Sequence, residues 1–154
     1  RYCSGGAERM LSVLKTMKVE GLVSKKLSEP YSSGRSGSWV KYKFVNEDDF
    51  AIIGFRVAMD RPRAVASLAI ASAERGRWRY AGFCGSGLSA RVASDLYQRL
   101  APSRAGKPAV AIPASAELTA VVWVKPHHVA RVRFGERLPS SILRHARFIT
   151  VRRD

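Results

Sequence analysis

Three apolar runs in close succession limit what this chain can fold into. They are FAIIGFRVAM at 50–59, VASLAIASA at 65–73 and RWRYAGFC at 77–84. Each is bounded by turn signals and has the length of a strand. Glu74-Arg75-Gly76 makes a turn between the second and third, so those two form a hairpin. A helix follows over about 89–101. Ser89 is its N-cap, Val92, Ala93, Leu96 and Leu100 line its apolar face, and Pro102 lies beyond its end. After a loop, RAGKPAVAIPAS, come strands in LTAVVWVKP, HHVARVRFG and ARFITVR. Three strands, a helix and two or more strands is the order of an OB-fold, a small barrel that commonly binds nucleic acid.

The chain has 154 residues, 46% of them hydrophobic, so a packed core is feasible. Before the barrel, residues 7–17 place Ala7, Met10, Leu11, Leu14 and Met17 at helical spacing. VEGLVSKKL reads as a short strand and SEPYSSGRSGS as a loop. SWVKYKF alternates as a strand, with Trp39, Lys41 and Lys43 on one face and Val40, Tyr42 and Phe44 on the other. The acidic spot NEDD at 46–49 reads as a boundary, giving units 1–44 and 45–154. No run of about 18 apolar residues exists, so no membrane span is expected. Starting at Arg1 without a leader, the chain reads as a piece of a longer protein.

Net charge is +15, from 27 basic and 12 acidic residues, which points to a polyanionic partner. Residues 1–43 hold 6 Lys and 3 Arg, whereas 44–154 hold 16 Arg and 2 Lys. Arginine suits bidentate phosphate contacts, and lysine supplies a compact point charge. Cys3 and Cys84 are distant in sequence and read as free thiols in a reducing cytosol. His127, His128 and His145 lack metal-ligand spacing and read as structural or surface residues. Gly82 to Gly87, GFCGSG, lacks the spacing of a dinucleotide site, so its glycines are assigned to a tight turn. Period-2 alternation puts Trp78 and Tyr80 on one face and Phe83 on the other, as candidates for base stacking or for core packing.

Lys41 and Lys43 lie two apart on one strand, after a polar loop with Arg35 and Ser36, while Glu20 and Lys25 lie on a neighbouring strand. One carboxylate among several cations suits a nucleoside triphosphate with its divalent metal. A solvated basic strand is the bland alternative for K-x-K alone. The ordered set is more specific. EGLVSK from Glu20 and SGSWVKYK from Ser36 resemble the E-G-x-V-x-K and S-x-x-W-x-K-x-K elements of the ATP-dependent DNA ligases, in the nucleotidyltransferase superfamily. PYSSGRS between them is similar to the bacterial end-joining branch. RYAGFCGSGLS and LYQRLAP resemble that family's OB domain, and RHARFITVRRD its closing motif, with Ala146 where proline is usual.

The resemblance implies an OB-fold barrel preceded by the terminal helix and strands of an adenylation domain. It implies nick sealing through enzyme-adenylate and DNA-adenylate intermediates, with ATP and Mg²⁺ or Mn²⁺ as cofactors. Glu20 is then similar to the metal-binding glutamate, and Lys41 and Lys43 to the phosphate-contacting lysines. Lys25 ends the first element. In a regular strand it faces away from Glu20 unless a bulge intervenes. Arg152 and Asp154 match an R-x-D whose arginine handles the pyrophosphate side of ATP. Arg35, Arg144 and Arg147 are DNA-contact candidates, and nicked duplex DNA is the expected partner. Other repair domains in a longer chain and a bacterial cytoplasmic, nucleoid-associated location go with this reading. Lys18-Val19-Glu20-Gly21 only approximates the nucleophile motif K-x-D-G, and its late position argues against Lys18. With no true K-x-D-G, the chain alone is expected to stay unlabelled by ATP. An RNA ligase, an mRNA-capping-type nucleotidyltransferase and a non-catalytic OB-fold DNA-binding module are the alternatives.

Overall fold

The computed structural model describes residues 10, 11, 13, 14, 21–25, 28 and 39–152. Glu20, Arg35, Asp154, Lys18 and Cys3 lie outside these. The chain divides into two compact units, Arg1–Val45 and Asn46–Asp154.

In the first unit, residues 10, 11, 13 and 14 are helical. Strands β1 (Gly21–Lys25) and β2 (Trp39–Lys43) form an antiparallel ladder of five unbroken pairs, from Gly21 opposite Lys43 to Lys25 opposite Trp39. Directly opposed residues share a face, so Gly21, Val23 and Lys25 lie on the side of Lys43, Lys41 and Trp39. Gly21 is needed there: a Cβ would run into the Tyr42 carbonyl oxygen. On the other face, Tyr42 and Phe44 meet edge to face at 5.6 Å.

The second unit is a closed barrel. Its strands are β3 (Asn46–Ala58), β4 (Arg61–Glu74), β5 (Arg77–Cys84), β6 (Val121–Trp123), β7 (Val129–Phe134) and β10 (Arg147–Val151). A small ladder, β8 (Glu136–Arg137) with β9 (Leu143–Arg144), fills the connection from β7 to β10. Hydrogen bonding runs in the order β10–β7–β3–β4–β5, with β6 added to β3. Closure comes from a parallel bridge of Ser86 to Arg147, where the Phe148 amide donates to the Ser86 carbonyl at 2.8 Å. Three register shifts along β3 and β4 bend these long strands around the barrel. The cylinder is filled by Phe50, Ile52, Phe55, Leu68, Ile70 and Val132, all fully buried. Each such side chain contributes about 1.5–3 kcal/mol of burial.

Helix α1 (Ala90–Leu100) packs Leu96 and Leu100 into this core. Its first turn is capped as the sequence indicates, with the Val92 amide donating to Ser89 Oγ at 3.3 Å. Pro102 sits in a following 3-10 turn, Ala101–Ser103. The expected β4–β5 hairpin is present, and its two-residue loop, Arg75-Gly76, has positive φ at both positions. These elements form an OB-fold.

The acidic stretch 46–49, read as a boundary, forms the first four residues of β3, at the start of the second unit. Their acidic side chains are accommodated because arginines of β7 stand directly opposite: Glu47 faces Arg133, and Asp49 faces Arg131. Phe83 does not face away from Tyr80. A bulge between the pairs Ala71–Tyr80 and Ile70–Gly82 leaves Ala81 unmatched, with Gly82 at φ +103°. The bulge shifts the parity, so Phe83 joins Tyr80 on the outer side, with rings 6.1 Å apart.

Candidate functional site

In the first unit, the β1–β2 register gathers Lys25, Lys41 and Lys43 on one face. Lys25 shares this face in an unbroken ladder, and Glu20, against whose parity it is set, lies outside the described residues. The Lys25 Nζ lies 3.9 Å from the centre of the Trp39 ring, directly across the ladder. The indole face favours that ammonium electrostatically and holds a flexible side chain in place. Residues two apart on a strand are spaced by about 7 Å, which is the backbone spacing of Lys41 and Lys43 on this face. The ladder thus carries three cations on one side and Val40 and Tyr42 on the other.

In the barrel, the charged residues are sorted by face. On the outer side of β3, β7 and β10, Arg131 donates from Nε and Nη2 to the two oxygens of Asp49, at 2.9 and 3.1 Å. Arg152 donates from Nη1 to the same carboxylate at 2.7 Å, and its backbone amide donates to the Val129 carbonyl at 2.8 Å. The hydrogen bond from Arg131 leads the causes that hold Asp49 below its ordinary carboxyl range, against a smaller opposing effect of burial. Next along, Arg133 donates to Glu47 at 2.7 Å and stands opposite Arg147 of β10. One carboxylate therefore serves two arginines, and the row stays net positive. Arg144 is well exposed, 4.0 Å from Glu136.

At one end of the barrel, Arg137 closes the mouth. It donates to Glu74 at 2.9 Å, approaches Asp48 at 3.7 Å, and its guanidinium carbon lies 5.5 and 5.8 Å from the Phe50 and Phe134 rings. Burial pushes the Glu74 carboxyl up, but hydrogen bonds from Ser141, Ser72 and Arg137 and the charge of Arg79 outweigh it and leave the group below its ordinary value.

The outer face of β3–β5 is covered. Residues 104–120 cross it as a strap, laying Val110, Ile112 and Ala116 on Ile53, Ala69, Ala71 and Tyr80. Arg56 stacks on Phe83 at 4.0 Å and donates to the Glu117 carbonyl, fastening the strap. Tyr80 is only 6% exposed, which favours the packing reading over base stacking for Tyr80, while Trp78 is 44% exposed. The glycines of GFCGSG are structural: a Cβ on Gly87 would strike the Phe148 carbonyl oxygen. Cys84 is buried and its thiol is pushed up to about 11, so it is an inert core residue.

Arg152 and Arg147 thus share the outer surface of the β7–β10 edge, and the lysines form their own face in the first unit. Glu20, Arg35 and Asp154 are not placed. Among the described residues no cluster of three His, Cys, Asp or Glu side chains could hold a metal, and no helix is long and apolar enough to cross a membrane. Asp49, Arg131 and Arg133 carried no assignment from sequence. Extending the in–out alternation of FAII back through Asp49, and reading Arg-Val-Arg at 131–133 the same way, would have put these charges on one face.

Known proteins are similar to this chain in sequence and fold. The family described as ATP dependent DNA ligase C terminal region matches residues 61–154. The multifunctional non-homologous end joining protein LigD of Pseudomonas aeruginosa is 31% identical over 140 residues, covering 88% of this chain and 17% of its own length. The LigD of Mycobacterium bovis is 33% identical over 138 residues, covering 88% and 18%. The crystal structure of the ligase domain from M. tuberculosis LigD superposes with TM-score 0.66 at 30% identity, over 96% of this chain and 49% of that one. The chain therefore spans less than a fifth of these full-length relatives and about half of that ligase domain. On the family match over residues 61–154, the chain belongs to the C-terminal regions of ATP-dependent DNA ligases.

Proposed function

We propose that this chain is the C-terminal portion of a bacterial DNA ligase that seals nicks in duplex DNA, using ATP and a divalent metal. The observation that carries the proposal is the single cationic face of Lys25, Lys41 and Lys43, held at fixed register beside Gly21. In this reading, ATP first adenylates a lysine outside this chain and pyrophosphate leaves. AMP then passes to a 5′-phosphate, and the 3′-hydroxyl displaces it. Each step transfers a phosphoryl or nucleotidyl group, so positioning and charge neutralisation supply most of the catalysis. Lys41 and Lys43 hold the phosphates, Lys25 adds a third cation braced by Trp39, and Glu20 lends an oxygen to Mg²⁺ or Mn²⁺. Arg152, with Asp154, serves the pyrophosphate side of ATP. Arg144 and Arg147, with Arg35 from the first unit, contact the DNA backbone without reading sequence. The enzyme works in the bacterial cytoplasm on nucleoid DNA, beside other end-joining domains.

Nick sealing by the intact ligase tests the proposal. Lys41→Ala and Lys43→Ala are each expected to slow sealing by about 100-fold, the usual loss for one electrostatic contact to a developing charge. Glu20→Ala is expected to do the same. An undiminished rate for Glu20→Ala would leave only a DNA-binding module. Faster sealing of RNA than DNA nicks would favour the RNA-ligase alternative.

A further inference from the structure

Asp49 belongs to the acidic stretch that composition alone presents as a boundary, and it has no part in the function described so far. Its surroundings are specific. Arg131 grips both of its oxygens from the facing strand, and Arg152 reaches the Oδ2 oxygen with Nη1 at 2.7 Å. Arg152 is thereby held twice, through its backbone on Val129 and through one guanidinium nitrogen on Asp49. Among the described residues the rest of that guanidinium makes no further ion pair. An arginine fixed by one edge, with about half of its side chain exposed, is prepared to present the other edge to an anion. Without the carboxylate, Arg131 and Arg152 would be adjacent like charges, and Arg152 would swing away from Arg131.

We propose that Asp49 is the positioning residue for Arg152, setting the guanidinium where it meets the pyrophosphate end of ATP during enzyme adenylation. The inference rests on reading Arg152 as the closing-motif arginine. Asp49 does not touch the nucleotide and acts through Arg152. A misplacement of about 1 Å in such a group costs on the order of 100-fold in rate.

The experiment uses the intact ligase and separates two steps: transfer of labelled AMP from ATP to the enzyme, and sealing of a nick that already carries 5′-AMP, without ATP. Asp49→Asn, which keeps the size of the side chain, is expected to slow enzyme adenylation by about 10- to 100-fold. The loss should fall in the maximal rate more than in the KM for ATP, as for a contact that strengthens toward the transition state. Sealing of the pre-adenylated nick should stay within about twofold, which also shows that the variant is folded. Arg131→Gln removes the other half of the cluster but leaves Asp49 to Arg152, and should keep adenylation near wild type. Normal adenylation in Asp49→Asn, alongside a defect in Arg152→Ala, would overturn the positioning role while leaving Arg152 in place. Equal losses in Asp49→Asn and Arg131→Gln, or an equal loss in sealing the pre-adenylated nick, would also overturn it, since both point to general damage to the sheet. Normal adenylation in Arg152→Ala would remove the reading of Arg152 itself, and the inference with it.

Discussion

Strand β3 runs under two different surfaces. Near its start the outward residues are Glu47 and Asp49, and the arginines opposite them leave that face charged and open. Further along, the outward Ile53 is apolar and packs under the strap of residues 104–120, and the one charged residue there, Arg56, stacks on Phe83 and donates to the Glu117 carbonyl of the strap. One strand thus serves two surfaces, because the outward residues change along it. Where outward side chains are small, the backbone of another segment can approach and bury area. Where they are charged, burial would cost several kcal/mol per ion, so the face stays open and is free to meet an external anion.

The comparison is broken most directly by moving a charge from one half to the other. Ala71→Asp, under the strap and fully buried, places an unpaired carboxylate in a packed apolar face and should cost on the order of 4 kcal/mol in denaturant unfolding. Thr150→Asp, opposite Arg131 on the open face, should change stability by less than about 0.5 kcal/mol. Equal effects would mean that the two faces do not differ as described.

The mouth of the barrel tests a charge that is neither buried nor open. Arg137→Ala removes the donor shared by Glu74 and Asp48 and should lower the midpoint of denaturant unfolding, by less than Ala71→Asp does because solvent screens this partly exposed cluster. The pH dependence has a defined sign. Asp49 and Glu74 both have folded values below their ordinary ones. Their stabilisation is therefore complete above the unfolded values near 4 and is lost as pH falls through the lower folded values. The melting temperature should decline on acidification below about pH 5, and Asp49→Asn should flatten part of that decline. The smallest effect is on the open face: Arg147→Ala should weaken DNA binding alike across sequences and reduce the salt slope of log K by about one.

Much of this was legible in the sequence, because periodicity reports directly on strands and helices. The hairpin at Arg75-Gly76, the Ser89 cap and the face shared by Lys41 and Lys43 follow from local rules. What was lost depended on partners distant in sequence. Asp49 reads only as part of an acidic boundary until Arg131, 82 positions away, stands opposite it. Phe83 changes side because one unmatched residue, Ala81, shifts the parity, and nothing in RWRYAGFC apart from Gly82 announces that. The strap reads as a loop because it packs through side chains without adding to a ladder. Lys25 could not be assigned from parity with Glu20 alone, whereas its stacking on Trp39 depends on the β1–β2 register.

The closing bridge between Ser86 and Arg147 has a consequence for how the barrel comes apart. Its other junctions are ladders of several residue pairs, whereas among the described residues the β5 and β10 sides are joined by one isolated bridge, from Ser86, just past the end of β5, to Arg147. The cylinder therefore has a seam. Backbone groups beside it have fewer ladder partners, so local opening there takes less free energy than global unfolding. In native-state hydrogen exchange, the Phe148 amide should lose its protection well before those of Ile52 or Ile70, and the barrel should unzip lengthwise before its core melts.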